Sequence, residues 1–132
     1  MRSRYASFTL TMTLLFLVVS NICLAEVMDI SQAELMQRIN TSREQLILDV
    51  RSKWEYMGGH IPGAINIPHD QLDSRLGEIL TFKNKEVVLY CASGGRVVTA
   101  AKILGSAGFS KLLHLDGDMN GWRGNSKLAV AK

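Results

Sequence analysis

Short apolar runs rich in β-branched residues alternate with helical patterns along this chain, and this alternation constrains its fold more than any other feature. The clearest runs, 46–50 and 86–90, are almost continuously apolar, which suits strands of a sheet covered on both faces. Weaker runs over 27–30, 64–67 and 111–115 predict further strands. Strands that alternate with helices predict an α/β fold with a mostly parallel sheet and short connections.

Three helices are predicted between these strands. Ser31 is expected to cap the first, which extends to about residue 40, with the Glu34 side chain reaching back to complete a capping box. A second amphipathic helix is predicted over 70–80 and a third over 95–107. The apolar residues of the second helix that should face the core are Leu72, Leu76, Ile79 and Leu80.

The N-terminal segment has the layout of a secretory signal peptide. Two arginines precede an apolar stretch, and small residues stand at Cys23 and Ala25, which predicts cleavage after Ala25. We therefore expect 1–25 to be a cleaved signal peptide and 26–132 to be a single domain. An uncleaved membrane anchor and a lipid-modified Cys23 are the alternatives, although serine and threonine residues dilute the stretch relative to a membrane span.

Charge and cysteine content narrow the function classes. The net charge of the whole chain is +3, and the signal peptide would remove two of its arginines. No clustered basic face is evident, which argues against nucleic acid as a partner. Cleavage would leave Cys91 as a single cysteine, and an odd cysteine in an exported protein suggests a reactive thiol, although a buried inert cysteine is common.

The segment after the strand at 86–90 carries the chemistry. Cys91 stands at the carboxyl end of this strand, where open α/β sheets form their sites. Two glycines let the backbone curl, so that successive N–H groups can converge on one point next to a helix start. Such a loop favours the thiolate, which is the nucleophile, and could also hold the terminal sulfur of a persulfide. The loop residues are Ala92, Ser93, Gly94, Gly95 and Arg96.

This loop resembles the active-site loop of rhodanese-homology domains, and two further motifs support the resemblance. Residues 48–51, 55–56 and 59–68 resemble the first signature of that family. Residues 115–118, together with Trp122, are similar to its C-terminal signature. The three motifs occur in order and span nearly the whole chain that follows the predicted signal peptide.

The resemblance implies a rhodanese-like domain with a central, mostly parallel five-stranded sheet flanked by helices on both faces. It implies a sulfurtransferase that moves sulfane sulfur from thiosulfate or a persulfide to a thiophilic acceptor through a persulfide on Cys91. It assigns the cradle to the backbone of the five loop residues, with the Arg96 side chain adding charge for an anionic donor.

The same resemblance implies no cofactor and no metal. The expected partners are a small sulfur donor and a thiol or cyanide acceptor, with a thioredoxin-like protein as one candidate. A membrane would be involved only if the signal peptide were uncleaved. By analogy with exported family members of this size, the expected location is the bacterial periplasm.

Three positions depart from the family pattern. Ala92 is neutral where many thiosulfate-active members have a basic residue, which puts thiosulfate preference in doubt. Val97 stands where serine or threonine is frequent, which removes a hydroxyl donor. Asp118 replaces a frequent glycine, so a different shape is expected for the last loop.

Other polar and aromatic residues are assigned structural roles. Asp49, Arg51 and Glu55 are interpreted as members of ion pairs and loop hydrogen bonds, because sulfur transfer does not require a proton relay there. The three histidines, His60, His69 and His114, have no ligand spacing with Cys91 and predict no metal site. The two tryptophans, Trp54 and Trp122, are expected in the core or at its rim.

Two other functions are weighed against sulfur transfer. One is a non-catalytic binding module, since some rhodanese-like domains have lost the cysteine. The other is a cysteine-dependent phosphatase or arsenate reductase, whose loop would place arginine six positions after the cysteine. In this chain that position is Val97, and Arg96 comes one residue earlier.

Overall fold

Five parallel strands form the central sheet of the computed structural model. The strands are β1 (Val27–Ile30), β2 (Leu46–Asp49), β3 (Ile65–Asn66), β4 (Val87–Tyr90) and β5 (Leu112–Leu115). Their order across the sheet is β1–β5–β4–β2–β3, and the all-parallel sheet confirms the predicted fold class. The structure describes residues 26–132, so the predicted signal peptide lies outside the described residues.

The sheet is covered on both faces, as the continuous apolar runs predict. Every residue of β2 and β4 is buried, and alternate residues enter opposite cores. In β2, for example, Leu46 and Leu48 belong to one core and Ile47 to the other. The helices and helical turns are α1 (Gln32–Asn40), α2 (Lys53–Met57), a 3₁₀ segment (Asp73–Phe82), α3 (Gly95–Ser106) and α4 (Asp118–Gly124).

Each face of the sheet has its own helices. Helix α3 and the 3₁₀ segment contribute to one core through residues such as Leu104 and Ile79. Helices α1 and α4 contribute to the other through Leu35 and Trp122. Trp54 is 83% exposed, so only one of the two tryptophans lies in the core. Within residues 26–132, no helix is long and apolar enough to cross a membrane.

The second helix differs from its prediction, because its turns are 3₁₀ rather than α-helical. With three residues per turn, Leu76, Ile79 and Phe82 fall on one face, and all three contact the core. Leu80 then lies a third of a turn away and is 53% exposed, so its predicted inward position is wrong.

The capping box predicted for α1 is only half formed. The Ser31 side chain accepts the Glu34 N–H at 3.1 Å, which confirms the N-cap. The Glu34 carboxylate instead accepts a hydrogen bond from Arg38 Nε at 3.1 Å. A full guanidinium charge one turn away competes better for this carboxylate than a single backbone N–H does.

A buried ion pair follows β2, as the sequence analysis expects for Asp49 and Arg51. Arg51 Nε and Nη2 donate to the two oxygens of Asp49 at 3.0 and 2.7 Å, and both side chains are almost fully buried. Arg51 Nη2 also donates to the Gly59 carbonyl at 2.8 Å, and Asn66 Nδ2 donates to the carbonyls of both paired residues. Burial alone would lower the pKa of Arg51, but the Asp49 hydrogen bonds and charge raise it.

Removing one member of this pair should destabilise the fold strongly. Arg51→Leu leaves Asp49 buried without its counter-ion, so we expect the free energy of unfolding to fall by about 3–5 kcal/mol. The matched control is Arg43→Leu, which breaks an exposed pair with Glu86 and should cost less than about 1 kcal/mol. Urea unfolding followed by circular dichroism measures both, and equal losses would contradict the assigned role of the buried pair.

Candidate active site

Cys91 lies in the short loop that joins the buried strand β4 to α3, and it is 1% exposed. The Gly94 N–H donates to Cys91 Sγ at 3.0 Å. Gly94 has a left-handed backbone, with φ of 105°, which turns the chain back over the sulfur and favours glycine at this position. The loop therefore curls around Sγ as the sequence predicts.

Four other N–H groups of the loop have no hydrogen-bond acceptor within residues 26–132. They belong to Ala92, Ser93, Gly95 and Arg96, and they lie at or just before the first turn of α3. Unpaired N–H groups at a helix start carry partial positive charge and can bind an anionic atom. The five predicted loop residues thus form one continuous loop next to Cys91, in which the Gly94 N–H donates to the sulfur.

The first residues of α4 hold the Cys91 backbone in place through hydrogen bonds. The Met119 N–H donates to the Cys91 carbonyl at 2.9 Å, and the Asn120 N–H donates to the Ala92 carbonyl at 3.1 Å. The Cys91 N–H in turn donates to Asp118 Oδ1 at 2.9 Å. Both sides of the Cys91 backbone are therefore held by one short stretch of the C-terminal motif.

Asp118 is buried and has a positive φ of 52°, which is uncommon for a residue other than glycine. His114 Nε2 lies 3.0 Å from Asp118 Oδ2. Because a carboxylate only accepts hydrogen bonds, Nε2 must carry the proton. His114 Nδ1 faces a second carboxylate, that of Asp29, at 3.9 Å. The last loop thus differs from the family pattern by a buried carboxylate, that of Asp118, which lies beside the cysteine.

The contact between His114 and Asp118 is not predicted from the sequence, in which His114 is weighed only as a metal ligand. The missed signal is topological, because β4 and β5 are neighbours in the sheet and their carboxyl ends bring Cys91 close to the residues after β5. The other two histidines are placed differently. The His60 ring stacks on Tyr56, and its Nδ1 lies 3.0 Å from the Tyr56 carbonyl oxygen, while the His69 N–H donates to the Val50 carbonyl.

The Arg96 side chain is held by Glu55 of α2. Arg96 Nη1 and Nη2 donate to the two Glu55 oxygens at 2.7 and 2.9 Å. The hydrogen bond from Arg96 lowers the pKa of Glu55 to about 2, and the same bond raises the pKa of Arg96. The role of Arg96 toward an anionic donor stays a prediction, and in this structure both of its terminal nitrogens donate to a carboxylate of the chain.

This ion pair predicts a measurable titration. Because the folded pKa of Glu55 lies below its ordinary value of 4.5, the pair should stabilise the fold above about pH 4.5. That contribution should be lost as the pH falls toward 2. A carbon-13 NMR titration of the Glu55 carboxyl should give a midpoint near 2. In Arg96→Ala the midpoint should move back toward 4.5, and a wild-type midpoint there would contradict the pairing.

Comparisons with known proteins agree on the family of the domain. The model of the Rhodanese-like domain family matches residues 31–125. A protein of Allochromatium vinosum named sulfurtransferase is 33% identical over 94 residues, which are 71% of this chain and 86% of that protein. A rhodanese-related protein of Thermoplasma volcanium, known from its crystal structure, has a TM-score of 0.67 and 26% identity, with 79% of this chain and 97% of that chain covered.

A further relative is longer than this chain. YrkF of Bacillus subtilis, provisionally named a sulfur carrier protein, is 32% identical over 99 residues. The match covers 75% of this chain but 52% of YrkF, so the chain spans about half the length of that relative.

Proposed function

Because the chain belongs to the rhodanese-like domain family, whose similar members include proteins named sulfurtransferase, we propose that it is a sulfurtransferase with Cys91 as its sulfur carrier. The observation that carries the proposal is the contact of Cys91 Sγ with the Gly94 N–H, inside a loop whose other N–H groups lack acceptors in the described chain. A structural cysteine would need no such surroundings.

In the first half of the proposed reaction, the Cys91 thiolate attacks the outer sulfur of the donor. A bond forms between Sγ and that sulfur while the sulfur–sulfur bond of the donor breaks, and its electron pair leaves with sulfite or with a thiolate. In the second half, an acceptor thiolate or cyanide attacks the outer sulfur and releases Cys91 as the thiolate. No net oxidation occurs, so the electron balance requires no cofactor.

The loop supports both forms of the cysteine. The Gly94 N–H stabilises negative charge on Sγ before the transfer. The free N–H groups at the start of α3 would hold the terminal sulfur of the persulfide, which carries the charge after the transfer. The hydrogen bonds that Asp118 and Met119 make to the Cys91 backbone fix the start of the loop that carries these N–H groups.

The proposal includes the partners and location that the sequence suggests. The donor is a small sulfane-sulfur compound, and the acceptor is a thiol, such as that of a thioredoxin-like protein, or cyanide. Transfer takes place after export, in the bacterial periplasm if the predicted signal peptide is cleaved. The presence of Cys91 in a loop of unpaired N–H groups favours a catalyst over a binding module.

Treatment with a sulfane-sulfur donor should add the mass of one sulfur atom to the protein, because Cys91 keeps the transferred sulfur as a persulfide. Peptide mapping by mass spectrometry should place that sulfur on Cys91. Cys91→Ser should gain none, since a serine alkoxide is not accessible near neutral pH. A wild-type protein that gains no sulfur from any donor, or a serine variant that gains it, would refute the proposed function.

The two loop glycines provide a matched test of the cradle. A Cβ on Gly94 would be strained by its positive φ and would lie 3.2 Å from Asp118 Oδ2, whereas a Cβ on Gly95 would meet nothing within 4 Å. Gly94→Ala should therefore displace the N–H that faces Sγ and slow alkylation of Cys91 by about tenfold, the effect of losing about 1.4 kcal/mol. Gly95→Ala should have a clearly smaller effect. Equal rates in the two variants, measured with iodoacetamide, would contradict the assigned geometry.

A further inference from the structure

Arg96 supplies positive side-chain charge next to Cys91, but its pKa is raised chiefly by the Glu55 hydrogen bond and only to a smaller extent by Cys91. Arg96, the cation of the loop, is paired through both terminal nitrogens with Glu55. Ala92 and Ser93 are neutral. Beneath the loop lies the Asp118 carboxylate, 97% buried, with one oxygen on the Cys91 N–H.

The Asp118 carboxylate lies against the loop that holds the sulfur. Oδ1 accepts the N–H of Cys91 itself, and Oδ2 lies 3.2 Å from the position a Cβ of Gly94 would take. Gly94 is the residue whose N–H faces Sγ. The carboxylate is shielded from water, so its charge acts on the loop with little screening. His114 holds it in this position through Oδ2.

A negative charge beside the loop raises the energy of the attack most for the donor that brings the most negative charge. Attack by the Cys91 thiolate on thiosulfate brings three negative charges together, one from the thiolate and two from the donor. The form of a hydropersulfide that a thiolate can attack is the neutral R–S–SH, which is in equilibrium with its ionised form R–S–S⁻, and attack on it brings one. In that step the bond between Sγ and the outer sulfur forms, the sulfur–sulfur bond of the donor breaks, and R–S⁻ leaves with the electron pair, so charge and atoms balance. The share of the neutral form in the free donor is the same for every variant, so it cancels when variants are compared.

We propose that Asp118 and Glu55 are specificity-determining residues that select against doubly charged donors, so that the donor class of this site is the hydropersulfide R–S–SH rather than thiosulfate. This inference rests on the proposed function. Asp118 disfavours these donors because it places a buried negative charge beside the loop. Glu55 disfavours them because it pairs with the Arg96 guanidinium, which would otherwise bind the donor sulfonate. The strained backbone of Asp118 is then retained for its carboxylate.

The test compares donors of different charge. The value of kcat/KM for persulfide formation on Cys91 is measured with thiosulfate, with the singly charged methanethiosulfonate ion and with cysteine hydropersulfide. Assays are run at about pH 8.5, above the range in which an unperturbed imidazole changes its charge. Ratios between donors cancel general effects on the thiol, because a merely structural change would slow all donors alike.

Asp118→Asn keeps an oxygen for the Cys91 N–H, tolerates the positive φ and removes the charge, and the His114 ring can accept from the new amide N–H by taking its other tautomer. It should raise the ratio of thiosulfate to hydropersulfide kcat/KM by about tenfold, which corresponds to about 1.4 kcal/mol. The ratio of thiosulfate to methanethiosulfonate should rise by a smaller factor, because these donors differ by one charge. The control Glu26→Gln removes a charge next to the amino end of β1, whereas Cys91 lies at the carboxyl ends of the strands, and it should leave both ratios unchanged.

Glu55→Gln provides a second variant, which acts from the other side of the loop and should shift the ratios in the same direction. Unchanged ratios in Asp118→Asn, or an equal rise in Glu26→Gln, would overturn the inference while leaving sulfur transfer intact. If Asp118→Asn does not fold, unchanged ratios in Glu55→Gln overturn it. A wild-type protein that takes sulfur from none of the three donors refutes the proposed function itself.

Discussion

The buried pairing of Asp49 with Arg51 fixes the edge of the sheet on which the site is built. Arg51 connects the end of β2 to the Gly59 carbonyl, so it closes the segment that contains α2. Its guanidinium also lies 5.7 Å from the centre of the Tyr90 ring, on the strand that ends at Cys91. With both ends of that segment held, Glu55 is carried to the first turn of α3, where it meets Arg96. A pair on the neighbouring strand thus helps to position the charges beside the sulfur.

The order of the elements and the position of the cysteine could be predicted from the sequence, because they depend on local pattern. Apolar runs mark strands, glycines mark the curl after Cys91, and Ser31 marks a helix start. Local pattern was less reliable where two conformations or two hydrogen-bond donors compete for the same residues. Leu80 faces solvent because a 3₁₀ turn replaced an α-helical one, and Glu34 turned to Arg38 instead of the N-cap.

The charge arrangement of the site could not be predicted in the same way, because its partners are distant in sequence. Glu55 and Arg96 are 41 residues apart, and Cys91 and Asp118 are 27 residues apart. The resemblance to the family marked Asp118 as a departure and Arg96 as a cation for the donor. Only the neighbouring carboxyl ends of β2, β4 and β5 show that one carboxylate underlies the cysteine and that another already binds the arginine.

The all-parallel topology affects how long the Cys91 thiol stays exposed to oxidants before the protein is folded. Parallel strands cannot form from hairpins and require long crossover connections, so a sheet of this kind is slow to assemble. The Cys91 backbone is held by contacts with α4, which follows Cys91 in the chain and is therefore synthesised after it. Until that helix docks, the thiol is open to oxidation, to sulfenic acid and beyond or to a disulfide between chains. In an oxidising compartment, the rate of folding therefore sets how much of the protein arrives with a usable cysteine.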